Sequence, residues 1–295
     1  MGIRAALAVH ADSGHGTAGR LATEVADRLR TAVDHLELVS AGTVAEARAL
    51  MVGARDRGLD VLVVLGGDGS AHQGVQFCAG TEVALGVIPA GTGNDLVRAL
   101  DQPMESLAAT DAMVAALRSG ARRRIDLGRV GADAWFATVL CAGFDSAVNE
   151  RVNRMRWPHG PRRYDLAIVA QLAALRPSRL VVRTGAEVLE LEATMVSAGN
   201  TRFYGGGIPI CPDADPTDGL FDVTVVGQVS RRHLLRILPS LRGGKHVNRP
   251  AVTTLRATEV RLGEANGWIA YADGERIQPL PVDLTCVPGA LTVVG

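Results

Sequence analysis

Two glycine-bracketed turns carry the residues best suited to chemistry. The stretch Leu65-Gly-Gly-Asp68-Gly-Ser70-Ala-His-Gln-Gly74 follows an apolar run, 59 to 64, that reads as a buried strand. Glycines at a strand end let backbone N–H groups approach a phosphate with no Cβ in the way, and the following helix points the positive end of its dipole at the anion. Gly66, Gly67, Asp68, Gly69 and Ser70 therefore suit a nucleotide phosphate. A second strand-turn-helix unit follows in Pro89-Ala-Gly-Thr92-Gly-Asn94-Asp95, where Thr92 can donate to a phosphate oxygen and Asn94 or Asp95 can cap the next helix. Neither turn is a P-loop, because GK[ST] is absent and the sole lysine, Lys245, lies far away; a G-x-G-x-x-G fingerprint does not fit the register either. Without a phosphate-binding lysine, charge neutralisation falls to backbone dipoles, arginine and a divalent cation.

Two acidic clusters stand apart from these turns. Asp273-Gly274-Glu275 lies between strand-like runs and reads as a hairpin turn, since Asp-Gly is a strong two-residue hairpin signal. A carboxylate on such a rigid turn suits a general base that takes a proton from an attacking hydroxyl, and Asp273 and Glu275 are both candidates. The run Asp213-Ala-Asp215-Pro-Thr-Asp218-Gly-Leu220 offers oxygen ligands to a cation. It is not an EF-hand, because its glycine is one position late and Thr224 stands where the bidentate glutamate belongs.

The elements that must position these residues fall into two textures. Up to about residue 120, strands and helices alternate: an apolar strand at 3–9, a helix with Leu21, Val25, Leu29 and Val33 four residues apart, a short strand at 36–39, and a capping box at Thr43 and Glu46 opening a helix that ends near Gly58. A strand at 59–65, helix at 70–79, strand at 83–88 and helix at 103–119 ending at Gly120 complete the pattern. This βαβ alternation predicts an α/β, doubly wound parallel sheet with its ligand crevice at the carboxyl ends of the strands. From Ile125 the chain offers short alternating segments, at 180–184, 188–196, 220–226, 258–262, 268–271 and 282–287, interrupted by one helical stretch at 164–175. The predicted domains are 1–125, an α/β nucleotide-binding domain, and 126–295, a β-rich and mostly antiparallel one whose last residues pack back on the first.

Composition excludes several classes. The 295 residues carry 31 basic and 31 acidic side chains, so no global basic field draws nucleic acid. Cys78, Cys141, Cys211 and Cys286 are widely spaced with no CxxC, which fits reduced core cysteines in a cytoplasmic protein. No signal peptide or apolar run of membrane-spanning length is present. The segment 151–183 is locally basic, with Arg151, Arg154, Arg156, Arg162, Arg163, Arg176, Arg179 and Arg183 against Asp165, and holds Trp157 and an apolar helix. Such a segment suits peripheral contact with the inner membrane surface as well as a solvated face or a dimer contact.

GGDGS at 66–70 followed by PAGTGNDLVRAL at 89–100 resembles the diacylglycerol kinase catalytic domain family of bacterial lipid kinases, related to the sphingosine kinases and, more distantly, to NAD kinases and phosphofructokinases. The resemblance continues through IDLG at 125–128, AGFDSAV at 142–148, YGGGIPICPDADPTDGLFDV at 204–223 and ADGE at 272–275. It implies a β-sandwich for the second domain and transfer of the γ-phosphoryl group of ATP, with Mg²⁺, to a lipid hydroxyl, diacylglycerol foremost. Ser13, Gly14, Gly66, Gly67, Asp68, Gly69, Ser70, Thr92 and Asn94 would then line the nucleotide site, with Asp68 acting on the metal-nucleotide or orienting the nucleophile. An acidic residue of the Asp273-Gly-Glu275 motif would be the base. The family's structural magnesium would lie against Asp218, with groups at Asp215 and Leu220. A lipid substrate met at the membrane surface and a homodimer follow from the same resemblance. NAD kinase, which shares the GGDG turn but not PAGTGND, and a non-catalytic nucleotide-binding regulator are the alternative readings.

Overall fold

The computed structural model of the protein describes residues 2–9, 13–40, 43–132, 134–155, 162–174 and 176–295. The chain divides into two units, Met1–Leu127 with Pro288–Gly295, and Gly128–Val287.

The first unit alternates β1 (Arg4–Val9), α1 (Ser13–Arg30), β2 (His35–Ser40), α2 (Val44–Asp56), β3 (Val61–Gly66), α3 (Asp68–Cys78), β4 (Ala84–Pro89), α4 (Asp95–Ala99), α5 (Ser106–Ser119) and the start of β5 (Arg122–Val130). The first four strands are parallel in the order β2-β1-β3-β4. One face of the sheet offers Val61, Val63, Leu65 and Ile88 to Val25 and Leu29 of α1 and Met113 and Leu117 of α5. Alternation turns Val64 and Leu85 to the other face, where α3 packs so closely that a Cβ on Gly74 would lie 2.7 Å from Leu85 Cδ1. A parallel sheet covered on both faces explains why β3 and β4 are buried at every position. Local signals fix the helix ends as the sequence indicates. Thr43 Oγ1 accepts the Glu46 N–H and the Glu46 carboxylate accepts the Thr43 N–H, each at 3.2 Å. Gly120 ends α5 in the left-handed conformation at φ 72°.

The second unit continues with β6 (Ala134–Phe136), β7 (Val139–Gly143), α6 (Phe144–Arg154), α7 (Arg162–Ala173), β8 (Ser178–Thr184), β9 (Val188–Gly199), β10 (Phe203–Tyr204), β11 (Ile208–Pro209), β12 (Phe221–Gly227), α8 (Arg231–Leu241), β13 (Val252–Ala257), β14 (Glu259–Gly263), β15 (Ile269–Ala272), β16 (Glu275–Pro279) and β17 (Val282–Val294). The strand pairs formed by β7, β8, β9 and β12 to β16 are antiparallel. Leu140 and Ala142 of β7 enter a core in which the Phe136 and Phe221 rings stack 5.6 Å apart. Val139 on the opposite face joins Phe144, Val148 and Val152 of α6 and Ala167 and Leu172 of α7. The sequence reading expects one helix in this part of the chain; the structure has α6 and α8 besides. Apolar residues four apart, Phe144, Val148 and Val152, carry the α6 signal, whereas Pro239 inside α8 argues against a helix locally. The four cysteines are buried and form no disulfide.

β17 returns the chain to the first unit. There Val293 pairs in parallel with Leu85, the Gly80 N–H donates to Ala290 O at 2.8 Å, and the Gly295 N–H donates to Ala121 O at 3.2 Å.

Candidate functional site

In the first unit the carboxyl ends of β1, β3 and β4 lie on one edge of the sheet, because Val9 is in register with Leu65 and Leu65 with Ile88. The two glycine turns leave from neighbouring strands at that edge and press back to back. A Cβ built on Gly91 would lie 2.5 Å from Gly67 Cα, and one on Gly93 would lie 2.2 Å from Asp68 Oδ2. Real carbon contacts sit near 3.5–4.0 Å, so glycine at these positions is a requirement of packing.

Asp68 ties the turns together. Its Oδ2 accepts the Asn94 N–H at 2.9 Å and its Oδ1 accepts the Asp95 N–H at 2.7 Å. The cap of α4 is therefore Asp68 of the neighbouring turn, where the sequence reading expects Asn94 or Asp95. The reason is the left-handed backbone of Asn94, φ 54°, which folds its side chain back onto Gly91: Oδ1 accepts the Gly91 N–H at 3.2 Å and Nδ2 donates to Gly91 O at 2.9 Å. The consequence is asymmetric. The amides that open α4 are already taken by a carboxylate, whereas Gly67 gives α3 no side-chain cap. The first turn of α3, from Asp68 to Ser70, follows the glycine pair at the strand end, where backbone N–H groups and the helix dipole suit an anion. Gly69 and Thr92 are exposed and Ser70 is half-buried. Ser13 and Gly14 open α1 beyond β1, on the same sheet edge by topology, while His10, Ala11 and Asp12 lie outside the described residues.

In the second unit Asp273-Gly274 forms a two-residue hairpin loop. Ala272 pairs with Glu275, and φ values of 51° and 84° at Asp273 and Gly274 are those of a type I′ turn. The two acidic residues have different surroundings. The Asp273 carboxylate accepts the Ala137 N–H at 3.1 Å, the Thr138 N–H at 2.8 Å and the Thr138 hydroxyl at 2.6 Å. That anchoring segment is itself held by Asn200, whose Nδ2 donates to Ala137 O at 2.9 Å. Glu275, two positions on, is exposed at the start of β16. Thr138 and Asn200 escape a sequence reading because the pairing is long-range: Thr138 lies 135 positions from Asp273.

Within the second unit, α6, α7 and β15 line a half-open cavity of about 400 Å³. Phe144, Met155, Trp268 and Ile269 supply apolar walls, and Arg151 and Arg176 supply positive charge. Glu150 also lines it, accepting from the Tyr271 hydroxyl and from Arg154; the Tyr271 bond, then Arg154, keeps its carboxyl below the usual range.

Asp145, one turn away on α6, is a buried carboxyl that the sequence does not mark. Its Oδ1 accepts the Ser146 N–H at 2.8 Å and its Oδ2 has no partner. Burial pushes its pKa up to about 7, against smaller opposing pulls from the Ser146 N–H and the Cys141 thiol. The folded protein then holds a proton that the unfolded chain has released, so stability falls as pH rises from the ordinary aspartate range through about 7 and levels off above it. Urea unfolding at about pH 5.5 and 8 is expected to show a loss on the order of 2 kcal/mol in the wild type and a nearly flat profile in Asp145→Asn. Equal pH slopes in the two proteins would remove Asp145 as the cause.

The aspartate-rich loop does not fit a metal ion. Asp215 Oδ1 accepts the Thr217 N–H and hydroxyl at 3.0 and 2.6 Å, and Asp218 Oδ1 accepts the Leu220 N–H at 2.9 Å. Asp218 Oδ2 is occupied by the Arg256 guanidinium. Among the described residues no group of three His, Cys, Asp or Glu side chains surrounds one ion position.

Comparison with known proteins comes from two directions. The profile of the diacylglycerol kinase catalytic domain matches residues 4–130, and that of the YegS C-terminal NAD kinase beta sandwich-like domain matches residues 138–295. The diacylglycerol kinase of Mycobacterium tuberculosis is 45% identical over 290 residues, covering 96% of this chain and 92% of that protein. The diacylglycerol kinase of Bacillus subtilis is 27% identical, covering 76% and 74% respectively. A crystal structure of a diacylglycerol kinase from Bacillus anthracis superposes with a TM-score of 0.75 at 18% identity, covering 99% of this chain and 97% of that one, which shows the fold.

Proposed function

The chain belongs to the diacylglycerol kinase family of lipid kinases, and from that premise we propose that it transfers the γ-phosphoryl group of ATP, taken as its Mg²⁺ complex, to the free hydroxyl of diacylglycerol. The observation that carries the nucleotide half is the pair of glycine turns pressed together at neighbouring strand ends, with a Gly91 Cβ only 2.5 Å from Gly67 Cα and Asp68 holding the Asn94 and Asp95 amides. The phosphates lie along Gly66 to Ser70, where backbone amides do the work that a lysine does in a P-loop. Asp68 acts here as a positioning residue, holding the second turn against the first.

For the acceptor, Glu275 takes the hydroxyl proton as the attack proceeds, and Asp273 fixes the hairpin that presents it. The cavity beside α6 and α7 takes the acceptor lipid: its volume is within the range of small-molecule pockets, Phe144, Met155, Trp268 and Ile269 offer apolar contact to an acyl chain, and Arg151 and Arg176 offer charge to a polar group. Leu166 and Val169 of α7, 48% and 63% exposed, stand one turn apart on a helix whose neighbourhood is rich in arginine. Their exposure suits docking on an anionic bilayer, from which a water-insoluble acceptor must be drawn. No helix among the described residues is long and apolar enough to cross a membrane.

Transfer of label from γ-³²P-ATP with Mg²⁺ to diacylglycerol, phosphatidylglycerol, sphingosine, ceramide and NAD in mixed micelles tests the reading, with Asp68→Ala as the control. Label in diacylglycerol that vanishes in the control is expected; label in NAD alone would move the protein to the related kinase family. Replacing Leu166 and Val169 together by serine is expected to lower partitioning onto phosphatidylglycerol vesicles about tenfold with an unchanged melting temperature. Undiminished vesicle binding by that variant would rule out α7 as the docking element.

A further inference from the structure

We infer that Arg256 is the resident cation of the aspartate-rich loop, bridging Asp218 and Asp222 so that the loop holds its shape with no divalent ion. The antiparallel register of β12 and β13 sets Asp222 directly opposite Arg256. From that position the guanidinium donates from Nε to Asp222 Oδ2 at 3.2 Å, and its Nη2 reaches Asp218 Oδ2. A planar fork can serve two carboxylates at once, which a lysine ammonium on the same stem does less well.

The surroundings make such a charge necessary. Asp222 has 13% of its side chain exposed and Asp218 27%. Removing the guanidinium would leave two close carboxylates in partial burial with no compensation.

The same geometry excludes a magnesium ion from Asp218. Mg²⁺ binds oxygen at about 2.0–2.1 Å in near-octahedral array. At Asp218 Oδ2 it would meet the guanidinium at hydrogen-bonding range, and Oδ1 is already engaged by the Leu220 N–H. Asp215 Oδ1 is likewise engaged, by the Thr217 N–H and hydroxyl. This inference does not rest on the kinase reading. If both hold, the divalent requirement of the reaction belongs to the nucleotide alone.

Thermal unfolding of the full chain, without nucleotide, in EDTA and in millimolar MgCl₂ tests it. The wild type is expected to melt at the same temperature in both. Arg256→Met is expected to melt about 3–6 °C lower in EDTA and to recover part of that loss in MgCl₂, because the two carboxylates are then open to a dication. Wild-type protein whose melting temperature climbs with Mg²⁺, with the rise lost in Asp218→Asn, would overturn the inference. So would Arg256→Met melting with the wild type in EDTA. Calorimetric titration of the wild type with MgCl₂ alone provides a readout independent of how the variants fold: no Asp218-dependent binding heat is expected, and such heat would overturn the assignment.

Discussion

Glu275→Gln is expected to lower kcat for lipid phosphorylation by about two to four powers of ten while leaving the KM for ATP within about twofold. The two neighbouring carboxylates differ in the lone pairs they have left. Asp273 accepts three hydrogen bonds from Ala137 and Thr138, and those bonds hold the type I′ turn to the rest of the second unit. A carboxylate so engaged can take up a proton only by breaking its own anchorage. Glu275 sits beyond the turn on β16, exposed, with its backbone fixed by the pairing of Ala272 with Glu275. Glutamine keeps the shape and removes the proton acceptor, so the loss should fall on kcat. Asp273→Asn behaves differently. It turns an N–H₂ group toward N–H donors, costing about 1–3 kcal/mol of stability, and lowers the rate only as far as the hairpin shifts. A fully active Glu275→Gln enzyme, or an Asp273→Asn enzyme of normal melting temperature with the larger loss in kcat, would transfer the role of base to Asp273.

What was legible in the sequence follows the range of the interactions involved. The parallel sheet, the capping box at Thr43, the stop at Gly120 and the Asp-Gly hairpin each arise from residues a few positions apart, and each stands in the structure where the pattern puts it. Helix α6 was readable from Phe144, Val148 and Val152 but lay among strand-like segments that set the expectation for the whole region. The features that decide chemistry are long-range and were not legible. Asp68 reaches 26 positions to Asn94, Arg256 reaches 38 positions back to Asp218, and Asp273 depends on a threonine 135 positions earlier. The sequence gathers acidic residues at 213–218 and suggests a metal; only the structure shows that Arg256, set opposite Asp222 by the strand register, reaches Asp218. Asp145 stands in AGFDSAV with no local sign of burial, and only the packing of α6 makes it a buried acid.

Gly91→Ala is expected to weaken ATP binding at least a hundredfold and to destabilise the first unit by about 1–3 kcal/mol. The added methyl would meet Gly67 Cα at 2.5 Å and Asn94 Oδ1 at 3.0 Å. The first of these neighbours is main chain and has no rotamer to leave by. The two turns must therefore part by about 1 Å to reach ordinary carbon contact. That separation pulls the Asn94 and Asp95 amides off the Asp68 carboxylate and frees the start of α3 to drift, so the phosphate donors and their support are lost together. Gly67→Ala probes the same contact from the other side. Its Cβ would stand 3.2 Å from Gly91 Cα, a milder clash, so its loss of affinity should be smaller than that of Gly91→Ala. The ranking separates a packed phosphate cradle from a turn that merely needs flexibility, since flexibility alone gives no reason for the two glycines to differ in that order. Nucleotide titration of both variants beside their melting curves decides it: a folded Gly91→Ala protein that binds ATP as the wild type does would place the phosphates away from this pair of turns.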